Sequence, residues 1–260
     1  MMFKHNILLL LLIMLMFLGS CKPKTFISNK VIAHRGAWKM SDLPQNSIAS
    51  LEKAIALGCE GSEFDVWMTK DSVLVVNHDA DFEGMEIEQY NYSELLDGRH
   101  SNGEKLPTVE EYLLAGMKQT GTKLIFEIKP SKLGVERSEF LAEKSLNTVK
   151  ALNAEEWVDY ITFSYEAGLK IIELDSKARV AYLKGDKSPA VLSDAGFFGF
   201  DYNIKVLKNN PEWIKEAHDL GLTVNAWTVN KEEDMHWLLE KKVDFITTDE
   251  PEKLMELIKE

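Results

Sequence analysis

Eight short apolar segments, beginning near residues 31, 61, 123, 159, 179, 197, 222 and 243, alternate along this 260-residue chain with stretches of helical periodicity. Strand, helix and again strand in one direction build a parallel sheet, and eight such units point to a closed TIM-type (β/α)8 barrel. The segments expected as barrel strands are 31–34, 61–67, 123–128, 159–163, 179–183, 197–201, 222–227 and 243–247, with a further, hairpin-like strand at 73–77. Helices are expected at 47–57, 137–152, 166–174, 211–220, 231–241 and 251–259, and another opens at Pro107-Thr108. Asn46 or Ser47 caps the first of them, Gly58 ends it, and Thr108 and Glu111 have the spacing of a capping box. The pattern is weakest between 184 and 210. Residues 80–106, polar and containing Gly84, Gly98 and Gly103, are expected to form a short insertion or lid after the second barrel strand.

The barrel does not begin at residue 1. Lys4 and His5 precede an unbroken apolar run from Ile7 to Leu18, short for a bilayer span and of the kind found in export signals. Leu18-Gly19-Ser20-Cys21 follows and resembles the bacterial lipobox, in which the chain is cut before the cysteine and its thiol is acylated. Residues 1–20 are therefore expected to be a lipoprotein signal peptide, 21–30 a lipidated tether, and 31–260 a single domain. The expected location is the bacterial cell envelope, with Cys21 carrying the only membrane contact. Cys59 then remains as a lone cysteine, which excludes an internal disulfide, and its apolar neighbours mark it as a small buried hydrophobe. The formal charge of −12 argues against nucleic acid, or an anionic membrane face, as the main partner.

Within the second strand, Glu63 and Asp65 flank Phe64, so period-two alternation sends both carboxylates to one face. Any single pair of this kind also fits a solvated strand. Glu127 and Lys129 repeat the spacing on the third strand, where Phe126 and Ile128 take the opposite face. Active groups of such barrels gather at the C-terminal ends of the strands. His34-Arg35-Gly36, His78-Asp79, Trp227 and Thr248-Asp249 all fall there. Trp227 shares the inward parity and is a candidate wall for a small polar-apolar group; Trp67 has the same parity and no assigned task.

Taken in order, His34-Arg35-Gly36, Pro44-Gln45-Asn46-Ser47, Glu63-x-Asp65-Val66, Asn77-His78-Asp79, Leu106-Pro107-Thr108, Glu127-Ile128-Lys129, Thr162-Phe163-Ser164, Ala226-Trp227-Thr228-Val229-Asn230 and Ile246-Thr247-Thr248-Asp249-x-Pro251 resemble the glycerophosphodiester phosphodiesterase family. The set spans almost the whole chain after the leader. The resemblance implies a TIM barrel, a divalent metal held by Glu63, Asp65 and Glu127, and an acid/base pair of His34 and His78. The implied substrate is a small glycerophosphodiester, split to an alcohol and glycerol phosphate.

The chemistry of the residues agrees with these roles. Three carboxylates suit Mg2+ or Ca2+, which take oxygen ligands and keep positions free for water and phosphate. Arg35 and Lys129 provide donors for phosphoryl oxygens, and two imidazoles can move protons near neutral pH. Gln45 departs from the family's usual Pro-Glu-Asn-Thr and brings no charge, so it is not counted as a ligand. Asp249 is expected to cap the last helix ahead of Pro251, and Asp79 to orient His78. Four other readings stay open at this level: a related phospholipase-type phosphodiesterase, a phosphomonoesterase, a zinc site built from His34, His78 and the carboxylates, and a non-catalytic surface-binding lipoprotein.

Overall fold

The structure is a computed structural model and describes residues 25–259. The expected signal segment, Cys21 and the first part of the expected tether lie outside the described residues.

Eleven strands are present among the described residues: β1 (Val31–Ala33), β2 (Gly61–Met68), β3 (Leu74–Val76), β4 (Asp81–Phe82), β5 (Met85–Glu86), β6 (Lys123–Ile128), β7 (Val158–Thr162), β8 (Val180–Tyr182), β9 (Gly199–Asn203), β10 (Thr223–Trp227) and β11 (Phe245–Thr248). Eight of them, β1, β2 and β6 to β11, pair in parallel in chain order, and β1 closes the ring against both β11 and β2. This is the expected (β/α)8 barrel, with each strand within two residues of its expected position. β1 pairs with β2 only at Gly61 and Ser62, which leaves the later part of that edge without a barrel partner. β3 takes up Val66 to Met68 in antiparallel fashion.

Among the described residues ten α-helices are present: α1 (Ile48–Leu57), α2 (Tyr92–Leu95), α3 (Val109–Gly116), α4 (Val135–Ala151), α5 (Tyr165–Leu174), α6 (Pro189–Asp194), α7 (Ile204–Asn209), α8 (Glu212–Asp219), α9 (Glu232–Lys241) and α10 (Pro251–Leu257). Ser47 rather than Asn46 caps α1, accepting from the Ser50 amide, and Gly58 closes it at φ 74°. Thr108 and Glu111 form the expected capping box on α3. α6 and α7 fill the stretch where periodicity is weakest. At six residues each they are too short to display it.

Strand alternation divides the core into two layers. Phe64, Phe126, Tyr160, Tyr182 and Phe200 point outward beneath the helices, and aromatic contacts link several of them. Ile32, Ile125, Ile161 and Leu183 fill the interior of the ring. Burial of these side chains from water is the main force holding strand to helix and closing the ring.

The last residues of the expected tether are not loose. Phe26 lies under the Lys123 ammonium, 4.0 Å from ring centre to nitrogen, and edge-on to Trp157. The Ile27 amide donates to Gly121, those of Asn29 and Lys30 to Glu60, and the Lys30 ammonium to the Val243 carbonyl. All these partners stand at the N-terminal ends of strands, so the chain enters the barrel from below, and Phe26 borders an inner cavity of about 110 Å3. The 80–106 segment is the expected insertion. It builds a satellite core of Phe82, Ile87, Leu95 and Leu106 with Trp67 and Val75, and it contributes nothing to the pocket at the barrel mouth.

Candidate active site

Parallel pairing of β2 with β6 sets Asp65 directly beside Glu127. With Glu63 two residues earlier on the same inward face, three carboxylates supply oxygens that all lie within 4.8 Å of one another. All three are buried. The Lys129 ammonium sits among them, 2.6 Å from Asp65 Oδ1 and 2.7 Å from Glu127 Oε1. The expected phosphate-binding lysine is therefore first a counterion to two of the acids. An ammonium has three N–H donors, which leaves one for a further oxygen.

The loop after β1 supplies the rest of the cradle. Arg35 and Gly36 adopt positive φ, 57° and 80°. A Cβ on Gly36 would lie 2.4 Å from Ser50 Oγ, so only glycine lets α1 seat this closely. The turn aims the Arg35 amide at Glu63 Oε2, 2.8 Å away. Its guanidinium donates to Gln45 Oε1 at 2.6 Å, with Nε 3.5 Å from Asp65 Oδ2. Gln45 thus steers Arg35 without cancelling its charge, where a glutamate would do both. Asn46, at φ 60°, takes a role that sequence reasoning missed: its amide nitrogen donates to Asp65 Oδ2 at 2.8 Å, and its oxygen accepts from the Asp65 amide. The Pro-Gln-Asn-Ser motif was its only signal.

Both histidines are tied through Nδ1. His34 Nδ1 lies 2.7 Å from Asp249 Oδ1, and Asn230 donates to the other Asp249 oxygen at 2.7 Å. Asp249 is therefore not the cap of α10, whose N-cap is Glu250. Burial would raise the Asp249 carboxyl, but His34 and Asn230 hold it below the usual carboxylate range. His78 Nδ1 lies 2.7 Å from Asp79 Oδ1, as expected, and the Trp67 indole donates to the His78 carbonyl, fixing the loop. Both arrangements leave Nε2 for chemistry.

His34, Arg35, Glu63, His78, Glu127 and Lys129 line one mouth pocket of about 210 Å3. Asp65 stands behind this lining. The Trp227 ring, edge-on to Phe163 at 5.5 Å, and Leu183 form its apolar wall, so Trp227 sits where its parity placed it. His100, His218 and His236 are absent from the lining. One acid had not been singled out. Asp201, on β9, lines the pocket beneath Trp227, and the inward parity of Gly199 and Asp201 in the segment Gly-Phe-Asp-Tyr-Asn was the available signal.

Crowding shapes the electrostatics. Burial, with Asp65 and Glu127 close by, pushes the Glu63 carboxyl well up. Burial and Asp65 raise Glu127 to about 7. Burial works the same way on Asp65, but Lys129, His78 and Arg35 outweigh it and hold Asp65 low. Burial lowers His78, against the pull of Asp65. Glu63 Oε1 is buried without a hydrogen-bond partner among the described residues. A buried, partly compensated acidic cluster is costly for a folded chain unless a cation completes it. Its donor set consists of oxygens alone, which fits a hard divalent ion.

The chain matches the model of the glycerophosphoryl diester phosphodiesterase family over residues 34–253. A glycerophosphodiester phosphodiesterase of Caldanaerobacter subterraneus subsp. tengcongensis is 32% identical over 249 residues, covering 88% of this chain and 97% of that protein. The crystal structure of a glycerophosphodiester phosphodiesterase from Parabacteroides distasonis superposes with a TM-score of 0.87 at 45% identity, covering 90% of this chain and 98% of the other. A phosphodiesterase of Oleispira antarctica, solved in complex with the product sn-glycerol-3-phosphate, shares the fold at a TM-score of 0.73 and 22% identity, covering 89% of this chain and 97% of that one.

The cluster sets a pH response. Glu127 is raised from 4.5 in the unfolded chain to about 7 in the fold, so the folded state holds the extra proton between those values. Stability of the chelator-treated protein therefore falls as pH rises from 4.5 through about 7, by up to about 1.4 kcal/mol per pH unit for one such group. Urea unfolding across this window should show a shallower fall for Glu127→Gln than for the wild type. Parallel profiles for the two proteins would refute the assignment.

Proposed function

Because the chain belongs to the glycerophosphoryl diester phosphodiesterase family, we propose that it hydrolyses glycerophosphodiesters to an alcohol and glycerol phosphate, using two imidazoles and a divalent cation, Mg2+ or Ca2+. The observation that carries this reading is the meeting of three buried carboxylates, two cationic side chains and two histidines at one barrel mouth. Glu63, Asp65 and Glu127 would hold the cation, with Asn46 and Lys129 fixing the orientation of Asp65. When bound, the cation offsets charge on the phosphoryl oxygens and its increase in the transition state.

Arg35, steered by Gln45, and the remaining N–H of Lys129 grip the phosphate. Asp249 holds the His34 ring and stabilises the imidazolium that forms when Nε2 takes a proton, which makes His34 the acceptor from the attacking hydroxyl. The attacking group is the neighbouring glycerol hydroxyl, giving a cyclic phosphate that water then opens. His78 passes a proton to the departing alcohol oxygen; burial loosens its hold on that proton. Trp227 and Phe163 shelter the carbon frame of the glycerol. A zinc site including both histidines has less support, since the convergent cluster contains oxygens only and each Nδ1 is engaged by an aspartate.

The proposal includes export and acylation at Cys21. Four residues separate Cys21 from Phe26, five Cα steps or at most about 18 Å of chain, and Phe26 is docked at the lower end of the barrel. A barrel hung this way carries its mouth away from the bilayer. The eight residues of β2 alone extend roughly 26 Å. Drawing an intact phospholipid that far would expose acyl chains at about 0.8 kcal/mol per CH2. This geometry favours soluble, deacylated diesters over membrane lipids.

The direct test strips the protein with chelator and assays a panel of glycerophosphodiesters with Mg2+, Ca2+, Mn2+ or Zn2+ restored, following glycerol phosphate. Release that depends on a hard divalent ion is expected, with His34→Ala lowering turnover at least 100-fold while metal affinity stays within about twofold. A folded, metal-binding protein that is silent across the panel would overturn the substrate assignment. For the anchor, Cys21→Ser is expected to move the protein from the membrane fraction to the soluble fraction with turnover unchanged. Retention in the membrane fraction would refute acylation at this residue.

A further inference from the structure

Most charged groups of the mouth pocket have tasks in the proposed reaction. Glu63 and Glu127 belong to the cation cluster, Arg35 and Lys129 face phosphate, and His34 and His78 handle protons. Asp201 is left over. It is 1% exposed, Oδ1 has no hydrogen-bond partner among the described residues, and it does not belong to the convergent carboxylate cluster. Its backbone is firmly held: the carbonyl accepts from the Trp227 indole at 3.0 Å, and β9 pairs Asp201 with Asn225 of β10. Asp201 borders both the mouth pocket and the inner cavity, so it forms the floor between them.

A buried acceptor without a partner is costly, and structures keep one only where something repays it. The apolar wall above Asp201 selects poorly for a hydroxyl, because apolar walls bind a hydroxylated group and its deoxy counterpart with little difference. A fixed polar atom at the floor changes that. We infer that Asp201 is the specificity residue for glycerol, its carboxyl group hydrogen-bonding the terminal hydroxyl of the glycerol that rests against Trp227. The phosphate end is held at the carboxylate cluster and the terminal hydroxyl reaches the floor. A hydroxyl both donates and accepts, so the contact forms with either protonation state of the acid. This assignment rests on the phosphodiesterase proposal and adds to it how the pocket tells a glycerol diester from other diesters.

The test compares glycerophosphoethanolamine with its analogue lacking the terminal glycerol hydroxyl, each with wild type, Asp201→Leu and Asp201→Asn. Wild type is expected to favour the full substrate by roughly 10-fold to 100-fold in kcat/KM. Asp201→Leu should abolish that preference by losing on the full substrate alone, with the analogue turned over within about twofold of wild type. Asp201→Asn, which keeps an acceptor in place, should retain most of the preference. An equal loss on both substrates, or a shift in the metal concentration needed for half-maximal activity, would overturn the inference and assign Asp201 to holding Glu127 or the metal. Wild type that hydrolyses neither substrate would remove the phosphodiesterase proposal itself, an outcome distinct from failure of the Asp201 assignment.

Discussion

Lateral pairing of β2 with β6 is the constraint on which the site depends. Once Asp65 is set beside Glu127, Glu63 and Lys129 have no choice of face, since alternation turns all four side chains into the ring. A slip of β2 by one residue would turn Glu63 and Asp65 outward and drive Phe64 inward, away from Glu127 and Lys129. The outward aromatic layer therefore does more than stabilise the barrel. Phe64 and Phe126, 5.0 Å apart and buried beneath the helices, fix the register that brings the carboxylates together.

Concentrating acids in this way works against folding, and the surroundings limit the cost. Lys129 contacts both Asp65 and Glu127 with its one positive charge, and Asn46 grips Asp65 through both side chain and main chain. The Arg35 amide reaches Glu63 because Arg35 and Gly36 accept left-handed backbone conformations. Strain at functional loops persists where the surrounding structure over-determines it, and here the close seat of α1 on Gly36 supplies that support. What remains uncompensated is Glu63 Oε1 and the raised Glu63 and Glu127 carboxyls, which is the state expected of a ligand set for a divalent ion.

The barrel and its inward acids were legible in the sequence because both follow from period-two alternation. Glu63, Asp65, Glu127, Lys129 and Trp227 announce themselves by parity alone. The partners that hold them do not. Asn46 looked like a helix cap because its tie to Asp65 spans 19 residues and depends on a positive φ. Asp249 looked like a cap for a similar reason, since Pro251 marks a helix start while the contact to His34 crosses 215 residues. Asp201 carried the right parity, but nothing local sets a floor residue apart from any other strand acid. The helix α7 was invisible at six residues, and the 80–106 segment hid a small core of its own.

The central claim is that Glu63, Asp65 and Glu127 form an oxygen-ligand site for a hard divalent cation. Anomalous diffraction from crystals grown with Mn2+ tests it most directly. The account predicts one strong manganese peak bounded by these three carboxylates, lost in Asp65→Ala. Absence of a peak there, or a peak at the His34 and His78 rings instead, would contradict it.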